Sequence, residues 1–223
     1  MGGKEPLCGL AFIVEGPTEK VFYLEYLSQF CKAKGLVLKK DLDTTEDSYL
    51  ICSLGDERVV MMTSVNSVSQ MTNSATWFER SCVGGFPDIS WTVFLCYDTD
   101  EYCSDITMFH EGDWARLRRS IVSQASAVID LAAEADIEDV MLCDLPGVLS
   151  FLGLPAQTEI PPGNKGKTKL KKLHRMVAIN KTYHSGERSK ELVACLDMAV
   201  IKRNAPIPLD EIDKALNANG CKI

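Results

Sequence analysis

The chain has 223 residues and a formal net charge of −7. This length can bury one substantial core, or one core with a small appendage. The acidic balance excludes a general polyanion binder, so any nucleic-acid site must be a local basic patch. No apolar run reaches the ~18 residues of a membrane span, and the first residues lack the apolar segment of a secretory signal, so we expect a cytosolic protein.

Cysteine and histidine spacing argues against zinc. The nine cysteines are dispersed without a Cys-x-x-Cys pair, and the three histidines have neither i, i+4 spacing nor a nearby cysteine. Zinc sites require such spacings, so we predict none. Several cysteines lie inside apolar runs, where a reduced cysteine acts as a small hydrophobic residue. We therefore expect them in the core.

The chain begins with an apolar strand that runs into an acidic turn. Residues 10–14 form a continuous apolar run, typical of a strand buried on both faces of a parallel sheet. Glu15 follows at once, Gly16 and Pro17 then start a helix, and Glu19 suits the positive end of the helix dipole. Ligands bind at such strand ends in open α/β sheets, so Glu15 is a candidate site residue.

The next part of the chain alternates predicted strands and helices. Residues 35–47 are polar and look like a connection. The hydrophobic patterns predict strands over 58–63 and 127–132, a helix over 66–80, a helix capped by Asp113, and a helix capped by Asp144 that ends at Gly153. Such alternation predicts an α/β fold with a mostly parallel sheet flanked by helices.

A second acidic strand end follows residues 91–97. Asp98 and Asp100 are two positions apart, so an extended backbone places both carboxylates on the same side. Two carboxylates held so close are costly unless a cation neutralises them. Oxygen ligands of this kind favour Mg²⁺ or Mn²⁺. The sequence therefore predicts a divalent metal site here.

The composition changes after Pro155. We divide the chain into an α/β domain over 1–155 and a helical, partly basic extension over 156–223. Residues 164–190 hold many cations and one acid, Glu187. Their apolar residues keep helical spacing, which predicts a basic helix with its flanks. It is either a solvated face or a nucleic-acid-binding surface. The candidate binding residues are Lys165, Lys167, Lys169, Lys171, Lys172, Arg175 and Lys181.

The two acidic strand ends together resemble the TOPRIM domain of topoisomerases, bacterial primases and metal-dependent nucleases. The segments are IVEGPTEKVFY and FLCYDTDEY, some 80 residues apart. They are more closely similar to small stand-alone TOPRIM proteins and OLD-like nucleases of bacterial and phage defence systems. AEADIEDVMLCDL looks like the further acidic element of those proteins. The resemblance covers about residues 8–150 and implies a TOPRIM-like sheet.

The resemblance also implies an activity and a set of residues. It places catalytic roles on Glu15, Asp98 and Asp100, and metal ligation on these three with Glu138 or its neighbour Asp139. The expected cofactor is Mg²⁺ or Mn²⁺, as one or two ions. The expected reaction is hydrolysis of phosphodiester bonds in RNA or DNA by a defence or toxin effector. Nucleic acid and an ATPase or another protein are the expected partners, and a membrane is not.

Two other functions stay open at the level of sequence. A nucleotide-sugar glycosyltransferase also uses an Asp-x-Asp after an apolar strand, here Asp98 and Asp100, to hold a metal on a diphosphate. That activity leaves Glu15 without a role, whereas a TOPRIM site needs it. A non-catalytic TOPRIM-fold subunit could instead use its basic helix to bind a protein or RNA.

Overall fold

The computed structural model describes residues 7–41, 47–52, 57–99 and 111–217. Its strands form a single sheet in the order β2-β3-β4-β1-β5-β6. The strands β4, β1, β5 and β6 are parallel neighbours, whereas β3 is antiparallel to β4 and β2 to β3. The predicted α/β class with a mostly parallel sheet is thus confirmed. The strands are β1 (Leu7–Val14), β2 (Val37–Lys40), β3 (Asp47–Cys52), β4 (Glu57–Ser64), β5 (Ile89–Asp98) and β6 (Ala127–Ala133).

Helices cover both faces of this sheet. The α-helices of the described residues are α1 (Pro17–Ala33), α2 (Ser74–Trp77), α3 (Glu111–Val122), α4 (Ile137–Met141), α5 (Leu145–Leu152), α6 (Gly166–Val177), α7 (Lys190–Ala194), α8 (Met198–Asn204) and α9 (Asp210–Asn217). A 3₁₀ turn, Val68–Asn73, precedes α2, and a π-helical segment, Phe78–Val83, follows it. Shorter 3₁₀ turns precede α5 and α7, at Leu142–Asp144 and Gly186–Ser189. None of the described helices is long and apolar enough to span a membrane.

Alternate residues of β1 fill two separate cores. Leu10 and Phe12 belong to one buried cluster, and Ala11 and Ile13 belong to the other. Successive side chains of a strand point to opposite faces, so a strand covered on both faces must be apolar throughout. Residues of α6, α7, α8 and α9 lie in the same cluster as Leu10, together with residues of α1.

Three predicted boundaries were wrong. Residues 35–47 contain β2 and the start of β3, and they gave no apolar signal because β2 is an edge strand with mostly exposed side chains. The single helix predicted over 66–80 is divided among 3₁₀, α and π segments, with Asn66 in the left-handed region at φ 66°. Asp113 is not a cap, because α3 is already helical at Glu111.

Two local predictions were confirmed and one was corrected. The Asp144 carboxylate accepts a hydrogen bond from the Gly147 N–H at 3.1 Å and so caps α5, which ends at Gly153 with φ 68°. Of the six described free thiols, three are buried as expected, Cys31, Cys82 and Cys96, whereas Cys52 and Cys143 are half-buried and Cys195 is exposed. Cys8, however, is disulfide-bonded, so the expectation of reduced cysteines was wrong for this residue.

Candidate active site

Glu15 and Asp98 meet at the ends of neighbouring parallel strands. Val14 pairs with Cys96 in the β1–β5 register. The Glu15 N–H donates to the Cys96 carbonyl at 2.9 Å, and the Asp98 N–H donates to Glu15 Oε2 at 3.0 Å. The backbone of β5 therefore positions the Glu15 carboxylate at the end of the sheet. This is the proximity that the two acidic strand ends predicted.

A third parallel strand brings further carboxylates to the same end. Asp98 pairs with Ala133 of β6, and Thr99 donates to the backbone carbonyls of Ala133 and Glu134 at 2.8 and 2.9 Å. The chain then enters α4, whose N-cap residue is Asp136. The pairing of β5 with β6 thus fixes where Asp136 and α4 stand relative to Asp98.

Asp136 joins the start of α4 to the start of α6. Its Oδ1 accepts hydrogen bonds from the N–H groups of Asp139 and Gly166, both at 2.9 Å, and its Oδ2 accepts one from the Lys167 N–H at 3.1 Å. A Cβ at Gly166 would lie 2.1 Å from the Asp139 nitrogen and 2.3 Å from the Glu138 carbonyl carbon. Glycine is therefore needed where the two helices approach.

Burial and mutual repulsion raise the pKa of several of these carboxylates. For Asp98, burial and then the charges of Glu19, Glu15, Asp136 and Glu138 raise the pKa to about 9. Burial also raises the pKa of Glu19 to about 7, with further contributions from Glu15, Glu138 and Asp136. We call Glu15, Glu19, Asp98, Asp136 and Glu138 the carboxylate cluster. Without a cation, its members cannot all be charged cheaply at neutral pH.

Tyr183 and Lys167 influence the orientation and the pKa of the Glu138 carboxyl. Burial and the Asp136 charge raise its pKa to about 7, whereas a hydrogen bond from Tyr183 and the charge of Lys167 lower it. The Tyr183 hydroxyl donates to Glu138 Oε1 at 3.1 Å, and both residues are almost fully buried. Tyr183 therefore orients Glu138 within the carboxylate cluster.

Carboxylate oxygens, the donors of this cluster, are the ligand type that a hard divalent cation prefers. Asp98 Oδ1 is buried without a hydrogen-bond partner among the described residues. A cation would satisfy this atom and would offset the repulsion that raises the pKa values of Asp98 and Glu19. In the described part of the chain, no group of three or more His, Cys, Asp or Glu residues has an arrangement that could hold a metal ion. Asp100, the predicted partner of Asp98, lies outside that part.

The structure separates the two candidates for the later carboxylate. Glu138 is buried and its charge contributes to the raised pKa of Asp98. Asp139 instead forms a 2.6 Å ion pair with Lys169.

Two members of the carboxylate cluster were not predicted as site residues. Glu19 was interpreted as a favourable charge at a helix start. Asp136 lies within the segment AEADIEDVMLCDL, in which only Glu138 and Asp139 were predicted as ligands. The available signals were the Glu15-x-x-x-Glu19 spacing across the turn and the Asp136-x-Glu138 spacing, which resembles Asp98-x-Asp100.

The basic segment contains the predicted helix, α6. Leu170 and Leu173 lie on the inner face of α6 and are fully buried. Of its cations, Lys169 is paired with Asp139, and the Lys172 ammonium donates to the Pro162 carbonyl at 2.5 Å. The Lys167 side chain lies close enough to Glu138 for its charge to lower the pKa of that carboxyl. The start of α6 is therefore adjacent to the carboxylate cluster. Exposed side chains of this segment include Lys172, Arg175 and Lys181.

Fold and site together define a class: an α/β protein with a partly buried carboxylate cluster at the carboxyl ends of its parallel strands and a basic helix beside it. No protein-family model matches this chain, and no curated protein sequence matches it significantly.

Proposed function

We propose that this protein is a Mg²⁺- or Mn²⁺-dependent nuclease of the TOPRIM type that hydrolyses phosphodiester bonds in RNA or DNA as a defence or toxin effector. The observation that carries the proposal is the carboxylate cluster, in which Glu15, Asp98 and Glu138 are brought together from three distant parts of the chain. Lys167, at the start of α6, supplies positive charge beside the carboxylate cluster, as a phosphodiester requires.

Asp98 and Glu15 are the residues that would hold the cation, with Glu19, Asp136 and Glu138 beside them. When bound, the cation supplies Lewis acidity at the phosphate and lowers the pKa of a ligated water. Glu19 has a pKa of about 7 in the metal-free protein, so its carboxyl can take up or release a proton near neutral pH. Lys167 contributes positive charge next to Glu138. Tyr183 holds Glu138 in one orientation through its hydroxyl.

A glycosyltransferase would have no role for Glu15, and two observations argue against that function. Glu15 accepts a hydrogen bond from the Asp98 backbone, and its charge helps to raise the pKa values of Asp98 and Glu19. Both observations support a joint role for these carboxylates. A cleavage assay distinguishes the nuclease from the non-catalytic alternative.

The proposal is tested with purified protein and three substrates: tRNA, single-stranded RNA and duplex DNA. Cleavage is measured in Mn²⁺, in Mg²⁺ and in chelator, with the protein alone and with the product of any neighbouring ATPase gene. We expect metal-dependent cleavage by the wild type and none by Asp98→Asn, which preserves shape and removes charge. Glu134→Gln is the matched control, because Glu134 is an exposed carboxylate in the loop before Asp136. If no substrate is cut under any of these conditions, the nuclease proposal is wrong and the binding-subunit alternative takes the lead.

A further inference from the structure

A second candidate site adjoins Tyr183, and Glu138 is not among the described residues that line it. It is a cavity of about 250 Å³ between the end of α5, the middle of α6 and the chain leading into α7. Phe151, His174, Lys181, Tyr183, His184 and Arg188 all contribute to its wall. We call it the Tyr183 cavity.

The wall of the Tyr183 cavity is positively charged. Lys181 and Arg188 are exposed, and within the described part of the chain neither forms an ion pair. Glu191 is the one acidic residue among the described residues that line it. Unpaired lysine and arginine around a concave site favour an anion, and phosphate groups are the anions that these side chains bind best.

His174 adds an acceptor to this basic wall. Its Nδ1 lies 2.9 Å from the Leu170 carbonyl, which can only accept, so Nδ1 carries the proton. Burial lowers the pKa of His174, and the charges of Lys181 and His184 lower it further. The ring is therefore neutral, and Nε2 is left as a hydrogen-bond acceptor. A phosphodiester group has no donor for it, whereas the sugar hydroxyls and amino groups of a nucleotide do.

The cavity also has a ring for a base and a direct link to the carboxylate cluster. The Phe151 side chain is 36% exposed at the cavity wall, and bases stack on exposed aromatic rings. Tyr183 belongs to both sites, because it lines the cavity while its hydroxyl bonds Glu138. One side chain thus separates the two sites.

We propose that the Tyr183 cavity binds one phosphate-bearing nucleotide of a nucleic-acid strand, next to the carboxylate cluster. Lys181 and Arg188 hold the phosphate, His174 Nε2 accepts from the sugar or base, and Phe151 packs on the base. The identity of the strand as substrate rests on the proposed nuclease function. Binding itself does not, and can be measured where no cleavage occurs.

The experiment measures binding in chelator by titration calorimetry, with 5′-AMP, 5′-UMP, adenosine and inorganic phosphate as separate ligands. We expect the mononucleotides to bind more tightly than adenosine or phosphate. Lys181→Gln and Arg188→Gln should each weaken mononucleotide binding about tenfold, since each removes a charge-assisted bond. Lys190→Gln should not, because Lys190 is exposed close to Arg188 and lines a different cavity. Absence of mononucleotide binding, or equal binding of phosphate, would overturn the proposal.

A second arm separates a nucleotide within a strand from a free nucleotide. A short single-stranded oligonucleotide is added in chelator, and we expect it to displace 5′-AMP and to shift the ring resonances of His174 and His184 in the NMR spectrum. If 5′-AMP binds but the oligonucleotide neither displaces it nor shifts these resonances, the cavity serves a free nucleotide and the strand-binding proposal is wrong. Because chelator prevents metal-dependent cleavage, this binding result does not depend on whether the protein is a nuclease.

Discussion

The backbone N–H of Asp98 donates a hydrogen bond to Oε2 of Glu15 at 3.0 Å, although the two residues are 83 positions apart. The backbone of β5 thus holds the carboxylate of Glu15, the residue that follows the last residue of β1. Burial and nearby charges, meanwhile, raise the pKa of Asp98 itself to about 9. The pairing of β1 with β5 therefore creates a site that is electrostatically unfavourable until a proton or a cation enters it.

The metal-free protein should lose stability as the pH rises. Asp98, Glu19 and Glu138 have folded-state pKa values of about 9, 7 and 7, above those of the unfolded chain. Between the unfolded and folded values the native state binds more protons, so the free energy of unfolding falls with pH. We expect the Tm in chelator to drop by at least about 4 °C from pH 5 to pH 8.5.

Calorimetry with two comparisons tests this dependence. Mn²⁺ should restore more stability at pH 8.5 than at pH 5, and Asp98→Asn should flatten the pH profile in chelator. A Tm that rises steadily from pH 5 to pH 8.5 would show that folding does not raise the pKa values of these carboxylates.

Glu19→Gln should separate stability from activity. Glu19 is 7% exposed among like charges, so the amide should raise the Tm of the metal-free protein at pH 8. The same change should lower the cleavage rate about a hundredfold, because it removes an electrostatic contribution at the site. Glu134→Gln, at an exposed carboxylate, should change neither. Lower stability together with unchanged cleavage would show that Glu19 is not part of the active site.

Asp136→Ala should destabilise the fold by about 2–4 kcal/mol, since it leaves three backbone N–H groups without their acceptor. Asp139→Ala is the matched control, because the ion pair of Asp139 with Lys169 is partly exposed and should contribute less than about 1 kcal/mol. Urea denaturation at pH 6 measures both. Equal stability of the two variants would show that Asp136 does not join α4 to α6.

The basic surface should respond to salt. Replacing Lys171, Lys172 and Arg175 with Gln should reduce the slope of log K against log salt by about two to three, as each phosphate contact contributes close to one. Lys32, Lys34 and Lys39 are exposed lysines elsewhere in the fold, and their replacement is the control. An oligonucleotide titration at several salt concentrations measures the slope. If both triple variants have the slope of the wild type, α6 is a solvated face.

Sequence reasoning located the parts of this fold that are determined by local pattern. The strands β1 and β5 were predictable because strands covered on both faces form nearly continuous apolar runs. The α5 helix was predictable because Asp144 and Gly153 have the residue types that begin and end helices. Glu15 and Asp98 followed from those strands, since each residue comes where an apolar run ends.

The remainder depends on contacts between distant residues. The edge strand β2 pairs only with β3 and exposes most of its side chains, so hydrophobic alternation could not mark it. Glu19 belongs to the carboxylate cluster because of how α1 lies against the sheet. Asp136 is bonded to Gly166, 30 positions away, and no spacing rule connects them.

The cleavage rate of Glu15→Gln in saturating Mn²⁺ decides whether Glu15 belongs to a catalytic metal site. The amide keeps the shape of the side chain and removes the charge, and Glu15 is the residue that a TOPRIM nuclease needs and a glycosyltransferase does not. We expect a loss of about a hundredfold or more relative to the wild type, matched by Asp98→Asn and absent in Glu134→Gln. Cleavage by Glu15→Gln at the wild-type rate would contradict the assigned site.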